Sequence, residues 1–187
     1  MIVLALGVVL VSALHLIPAL PEIKATVIAR VGQRAYGPVF AMTSVVALAF
    51  IIVGWRMAEI VPVYEPAAWG RHVNFGLTLV GFVCLGIFLF RGSLRQRLRF
   101  PMGIAVLFWA TGHLLANGDF RSLILFGGLL IYAILHMTIG MLQGVRPTPE
   151  IRSGHDFLAV MTGVALYGAM TQLHPILIGV PILSLPQ

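Results

Sequence analysis

The sequence predicts an all-α, polytopic integral membrane bundle of about six transmembrane helices, and three observations carry that expectation. Hydrophobic residues make up 59% of the 187 and charged residues only 10%, against roughly 25% charged in an ordinary soluble domain. The apolar residues collect in long runs, and a bilayer core about 30 Å thick takes about 20 of them per helical span. Basic residues crowd into alternate connections between those runs. A chain of this length filled by six spans reads as one domain, 1–187, without room for a sizeable extramembrane unit.

The first run, Met1 to Leu20, has no Lys or Arg before it and no small-residue cleavage site after it. It is therefore expected to remain as a span rather than leave as a signal peptide, and the lack of a transit extension points to a bacterial inner membrane. Pro18 and Pro21 close this run, and the second extends from Tyr36 to Trp55. Pro62 and Pro66 mark the next connection, before a third run from Val73 to Phe90. Pro101 suits a first helical turn and opens the fourth, to Gly118. Asn117-Gly118-Asp119 reads as a helix end followed by a turn. The fifth run is Ser122 to Gln143, ahead of Pro147 and Pro149, and the sixth is Phe157 to Ile182. Gly76, Gly81 and Gly86, and Gly163 and Gly168, recur at spacings that let helices approach closely in lipid.

Charge sets the orientation. Of the twelve Lys and Arg, nine lie in the first, third and fifth connections: Lys24, Arg30, Arg34, Arg91, Arg95, Arg97, Arg99, Arg146 and Arg152. Only Arg56, Arg71 and Arg121 lie in the even ones, so both termini are expected on the periplasmic side. A net charge of +6 distributed in this way suits membrane lipids and topology, not nucleic acid. The lone Cys84 excludes a disulfide framework and a Cys-rich zinc site.

Histidines carry the chemistry. His15, His113, His136 and His174 sit inside apolar runs, where an ionisable side chain is costly and usually has a partner or a task. Neutral imidazole is a common metal and haem-iron ligand. No two of the four share a helix, which excludes a helical His-x-x-x-His zinc motif, and no intramembrane Asp or Glu accompanies them. At 1.5 Å per residue, His15 and His136 lie roughly 9 and 10 Å from the cytoplasmic ends of their helices, His113 about 18 Å and His174 about 27 Å. Depth pairs His15 best with His136, yet a haem clamped between two imidazoles also keeps His15 with His113 in reach. Trp109 and His113 share a face at i, i+4; Tyr167, Thr171 and His174 form one polar stripe. His72 and His155, at helix starts, read as interface residues.

Three stretches carry a family resemblance. His15 precedes Gly32-Gln33-Arg34-Ala35-Tyr36 and Val39-Phe40-Ala41; Trp109-Ala110-Thr111-Gly112-His113-Leu114-Leu115-Ala116-Asn117-Gly118-Asp119 follows; His174-Pro175 and Gly179 stand near the C-terminus. In this order they resemble the NnrU family, membrane proteins first associated with denitrifying bacteria, and its relative, plant 15-cis-zeta-carotene isomerase. The middle stretch is similar to the family's W-x-x-x-H-L-L-A-N-G-D signature. The relative is a haem b protein with two axial histidines, and the resemblance places these on His15 and His113. From the residues themselves, Trp109 could stack on such a cofactor or simply pack, and Arg or the Asn117–Asp119 turn could meet its propionates. Two positions depart from the relative. Ala110 stands where it has a cysteine, which removes its proposed ligand switch, and Phe100 stands for the histidine of an R-H-P segment.

The resemblance thus implies a haem b-binding inner-membrane protein of nitrogen-oxide metabolism, with nitric oxide as a candidate ligand. Its alternative is a haem-dependent cis–trans isomerase of a polyene such as 15-cis-zeta-carotene. A bundle without cofactor, serving as an assembly factor or carrier, is the third reading.

Overall fold

Glycine, proline and paired backbone, more than apolar content, decide where the helices stop. The structure is a computed structural model and describes residues 1–180; the expected end of the sixth run, Ile182, lies outside them. Helix α1 (Ile2–Leu16) runs into a 3₁₀ turn at Ile17–Ala19. Pro21 opens α2 (Pro21–Val31), and Gly32, at φ 87°, lets the chain turn at once into α3 (Gln33–Met57). After a long loop come α4 (Gly70–Leu89), the short α5 (Ser93–Leu98) and α6 (Pro101–Ala116). Next, α7 (Phe120–Ser122) continues through a π-helical segment, Leu123–Gly127, into α8 (Gly128–Leu142), and α9 (His155–Ile178) follows. Among the described residues there is no strand, only an isolated bridge between Pro62 and Asp119.

Five stretches have the length and composition to cross a membrane: Ile2–Ala19, Gln33–Met57, Gly70–Leu89, Phe120–Leu142 and His155–Ile176. The expected fourth span is shorter than the sequence reading implies. Helix α6 has 16 residues, about 24 Å, because Asn117 turns to extended backbone (φ −131°, ψ 119°) and Gly118 and Phe120 after it pair with the preceding loop. The sequence reading also leaves α2 and α5 inside connections. Helix α2 buries none of its residues and rests on α3 at the basic end of the bundle, as an interfacial helix does.

The long helices stand in a row: α3 packs on α1, α1 on the π segment and α8, these on α6, α6 on α4, and α4 on α9. A glycine lies at every seam. A Cβ on Gly7 would fall 2.7 Å from the Ile51 nitrogen, and one on Gly81 would fall 3.0 Å from the Ala105 carbonyl oxygen. Gly163 leaves room for the Phe82 carbonyl and Val83 Cα, each 2.6 Å from where its Cβ would be. Gly86 faces the Ala159 carbonyl, Gly128 the Val8 side chain, and Gly140 the Phe100 ring. Gly76 and Gly168 face open space, so only part of the small-residue pattern is packing.

The two ends differ. At the basic end the connections before α6 and before α9 are tied together: Arg152 N donates to Arg91 O (2.8 Å), and Arg99 Nε donates to Val145 O (2.7 Å). The Asp156 carboxylate accepts from Ser93 N (3.0 Å) and Leu94 N (2.9 Å), capping α5 from another helix. Arg91 pairs with Glu150 and also donates its N–H to His155 Nδ1 (3.2 Å), which gives His155 a structural role.

Gly86→Ala places a methyl group against the Ala159 carbonyl. The expected outcome is a loss of about 1–3 kcal/mol, read as a lower midpoint of thermal unfolding in detergent. Gly76→Ala, facing open space, is the control and should leave the midpoint in place.

Candidate functional site

The turn after α6 is a latch. Val63 N and Tyr64 N both donate to Gly118 O (2.8 and 3.1 Å), and Phe120 N donates to Val61 O (2.8 Å). The Tyr64 hydroxyl donates to Asn117 O (2.8 Å) and to Leu114 O. Burial, and then the Asp119 carboxylate, raise the Tyr64 phenol above its ordinary pKa. Gly118 is required here because a Cβ would strike the Tyr64 carbonyl. The Asn117 amide donates to His113 O (2.8 Å), and Asp119 accepts from Ser122 N (3.1 Å) and Ser122 Oγ (2.7 Å) as an N-cap. Arg121 pairs with Asp119 (3.4 Å) and lies over the Trp55 ring (4.4 Å). The Asn117 and Asp119 side chains expected near a cofactor's carboxylates are thus engaged in closing the helix end.

Beneath the latch the π segment carries Phe126 into the middle of the bundle. Its ring stacks on His113 (centroids 4.5 Å, 25°) and meets Trp109 (4.9 Å) and Trp55 (6.1 Å) edge-on. π-Helical segments are rare and frequent at functional sites. Phe126 and Leu125 share a core with Leu4 and Val8 of α1 and Ala110 of α6. Ala110, at the position of the relative's cysteine, is fully buried in that core.

His113 Nδ1 lies 2.8 Å from Trp109 O, and His15 Nδ1 lies 2.9 Å from Val11 O. A carbonyl only accepts, so each Nδ1 carries a proton, and in the neutral ring Nε2 holds the lone pair. His174 is held likewise, with Nδ1 2.8 Å from Val180 O. His136 differs, since its Nδ1 is buried without a partner.

The structure brings these histidines together in two groups. His15 meets Phe40 (5.2 Å) and Tyr132 (6.4 Å), and Tyr132 in turn meets His136 (5.8 Å). His15 and His136 are within electrostatic reach of each other, as are His113 and His174. Phe100, where the relative has a histidine, sits edge-on to His136 (6.4 Å). His15 and His113 make no ring contact. His15 lies beyond Val8 toward the basic end, whereas His113 lies beyond Ala110 toward the latch. The geometry at each of the two imidazoles fits a haem-iron ligand: the ring is oriented by a backbone carbonyl at Nδ1, with no partner at Nε2. Sequence reasoning passes over Phe126, whose only sequence signal is an aromatic residue beside Gly127-Gly128.

Two cavities accompany the site. One, about 230 Å³, is an apolar groove between α4 and α6 lined by Gly81, Phe82, Leu85, Met102, Val106 and Trp109, among others. The second, about 150 Å³, lies near His15 and is lined by Pro18, Lys24, Tyr36, Gly37 and Phe40. Asp119→Ala removes a helix cap and the partner of Arg121. The expected loss is about 1–2 kcal/mol, read by thermal unfolding, with Asp119→Asn falling between wild type and the alanine variant.

The profile of the family described as NnrU protein matches residues 3–182 of the chain. No curated protein and no solved structure matches it.

Proposed function

The chain belongs to the NnrU family, and from that premise we propose that it is a haem b-binding protein of the inner membrane, acting in nitrogen-oxide metabolism, with His15 and His113 as axial ligands. The observation that carries this reading is their shared anchoring: in each, Nδ1 is held by the carbonyl four residues back and Nε2 is left to donate. An imidazole so held inside a bundle keeps its second nitrogen available to a ligand, which supports this role. Trp109 takes part twice, holding His113 by its carbonyl and packing its indole on Phe126. When bound, haem supplies a redox-active iron and, with one imidazole released, a coordination site for nitric oxide. The apolar shell of Leu4, Val8, Leu125 and Phe126 keeps water from that region.

Proximity favours a second ligand assignment, in which His136 replaces His113 opposite His15. The polyene isomerase reading is favoured by the apolar groove ending at Trp109, which suits a long apolar chain.

The test is the optical spectrum of the detergent-purified protein, oxidised and reduced. His15→Ala and His113→Ala are expected to abolish the low-spin signal or most of the haem, whereas His72→Ala, His155→Ala and His174→Ala retain it. Haem loss in His136→Ala with a normal spectrum in His113→Ala overturns the ligand pair. A wild-type protein with no Soret band overturns haem binding and leaves the cofactor-free reading.

The basic connections gathered at one end support periplasmic termini. A reporter fused after Gln187 should be active only in its periplasmic form, and activity only in the cytoplasm reverses the topology.

A further inference from the structure

We propose that the groove between α4 and α6 is a phospholipid site, which takes one acyl chain between the helices and holds an anionic headgroup on Arg95. Neither haem nor a choice of axial ligand enters it. Small residues keep the floor narrow: a Cβ on Gly81 of α4 would fall 3.0 Å from the Ala105 carbonyl oxygen of α6. Phe82, Leu85, Met102 and Val106 form apolar walls, and Trp109 stands at the inner end. From Met102 to Trp109 the groove follows α6 for about two turns, or about 10 Å. At about 230 Å³ it admits an extended chain segment. A further helix, about 10–12 Å across, is too wide for it.

Charge then selects the occupant. Met102 is the second residue of α6, and α5 is the segment that joins α4 to α6, so the groove runs out at the basic end. Phe88 stands one turn beyond Leu85 on α4, and the Arg95 guanidinium lies over its ring, 5.3 Å from the centroid. The other arginines of this connection are engaged. Arg91 pairs with Glu150, Arg99 Nε donates to Val145 O (2.7 Å), and Arg97 is within electrostatic reach of Asp156. Among the described residues no ion pair involves Arg95. A guanidinium is a planar fork that matches phosphate oxygens two at a time, and the aromatic face beneath it favours the cation there. A phosphate on Arg95 with its chain along Leu85 toward Trp109 satisfies both ends of the groove at once. A neutral hydrocarbon, a polyene included, would leave the cation unused.

Full-length protein in detergent is titrated with phosphatidylglycerol and with phosphatidylcholine, both carrying brominated acyl chains that quench tryptophan fluorescence on contact. A Trp109→Phe variant defines the share of quenching that belongs to Trp109. Phosphatidylglycerol is expected to quench that share at about a fivefold lower lipid fraction, the preference that one cation confers. Arg95→Gln should bring the two lipids together, whereas Arg95→Lys and Arg97→Gln should keep them apart. Val106→Phe, which narrows the groove, should weaken quenching by both. Equal quenching by the two lipids in wild type, or a preference that survives Arg95→Gln, overturns the proposal. So does a bromoalkane that quenches as strongly as the brominated phosphatidylglycerol, which would make the groove a seat for neutral hydrocarbon. The wild-type comparison decides the matter even where Val106→Phe fails to fold.

Discussion

Close approach of backbones at glycine holds the row of helices together. In lipid the chain surroundings are as apolar as the side chains, so burying leucine against leucine does little to join two helices. What remains is van der Waals contact, which falls off steeply with distance. Gly7 and Gly54 bring α1 against α3, Gly81 and Gly112 bring α4 against α6, and Gly86 with Gly163 brings α4 against α9. Many buried positions are accordingly small, as at Ala47, Ala105, Ala110, Ala133 and Ala159, while many large apolar side chains, such as Val45, Leu48 and Ile131, point outward.

Against that closely packed background, the polar groups inside the bundle stand out as solutions to a local problem. Thr43, Ser44, His15, His113 and Thr171 each return a side-chain contact to a backbone carbonyl of their own helix. For the hydroxyls this ends the matter. For the histidines it settles only one nitrogen and leaves the second without a partner on the same helix. His136, Tyr36 and Ser12 lack even that first partner and lie close to His15 along the chain or through ring contacts.

Much of the fold is legible in the sequence, because its punctuation is physical. Pro101 opens α6, and the Asn117-Gly118-Asp119 turn falls where the pattern puts it. Helices α2 and α5 are not legible, since a short charged helix at an interface has the composition of a loop. The length of α6 is set by pairing with residues more than 50 positions earlier in sequence, which no local pattern encodes. For the site, the rise per residue suffices to associate His15 with His136, but it is blind to rotation about the helix. Only the π segment, which shifts the register of its helix locally, turns Phe126 onto His113.

The latch has a consequence for access. Helix α6 is shorter than its neighbour α4, and the loop before α4 folds over its end, with Val63 N, Tyr64 N and Phe120 N each paired to a backbone carbonyl. Irregular backbone at such depth is tolerated only where protein replaces water as its partner. His113, one turn before that helix end, is therefore separated from the aqueous phase by a loop and not by lipid. The cover over that helix end is thus an assembly of three backbone hydrogen bonds and one phenol, made by residues distant in sequence.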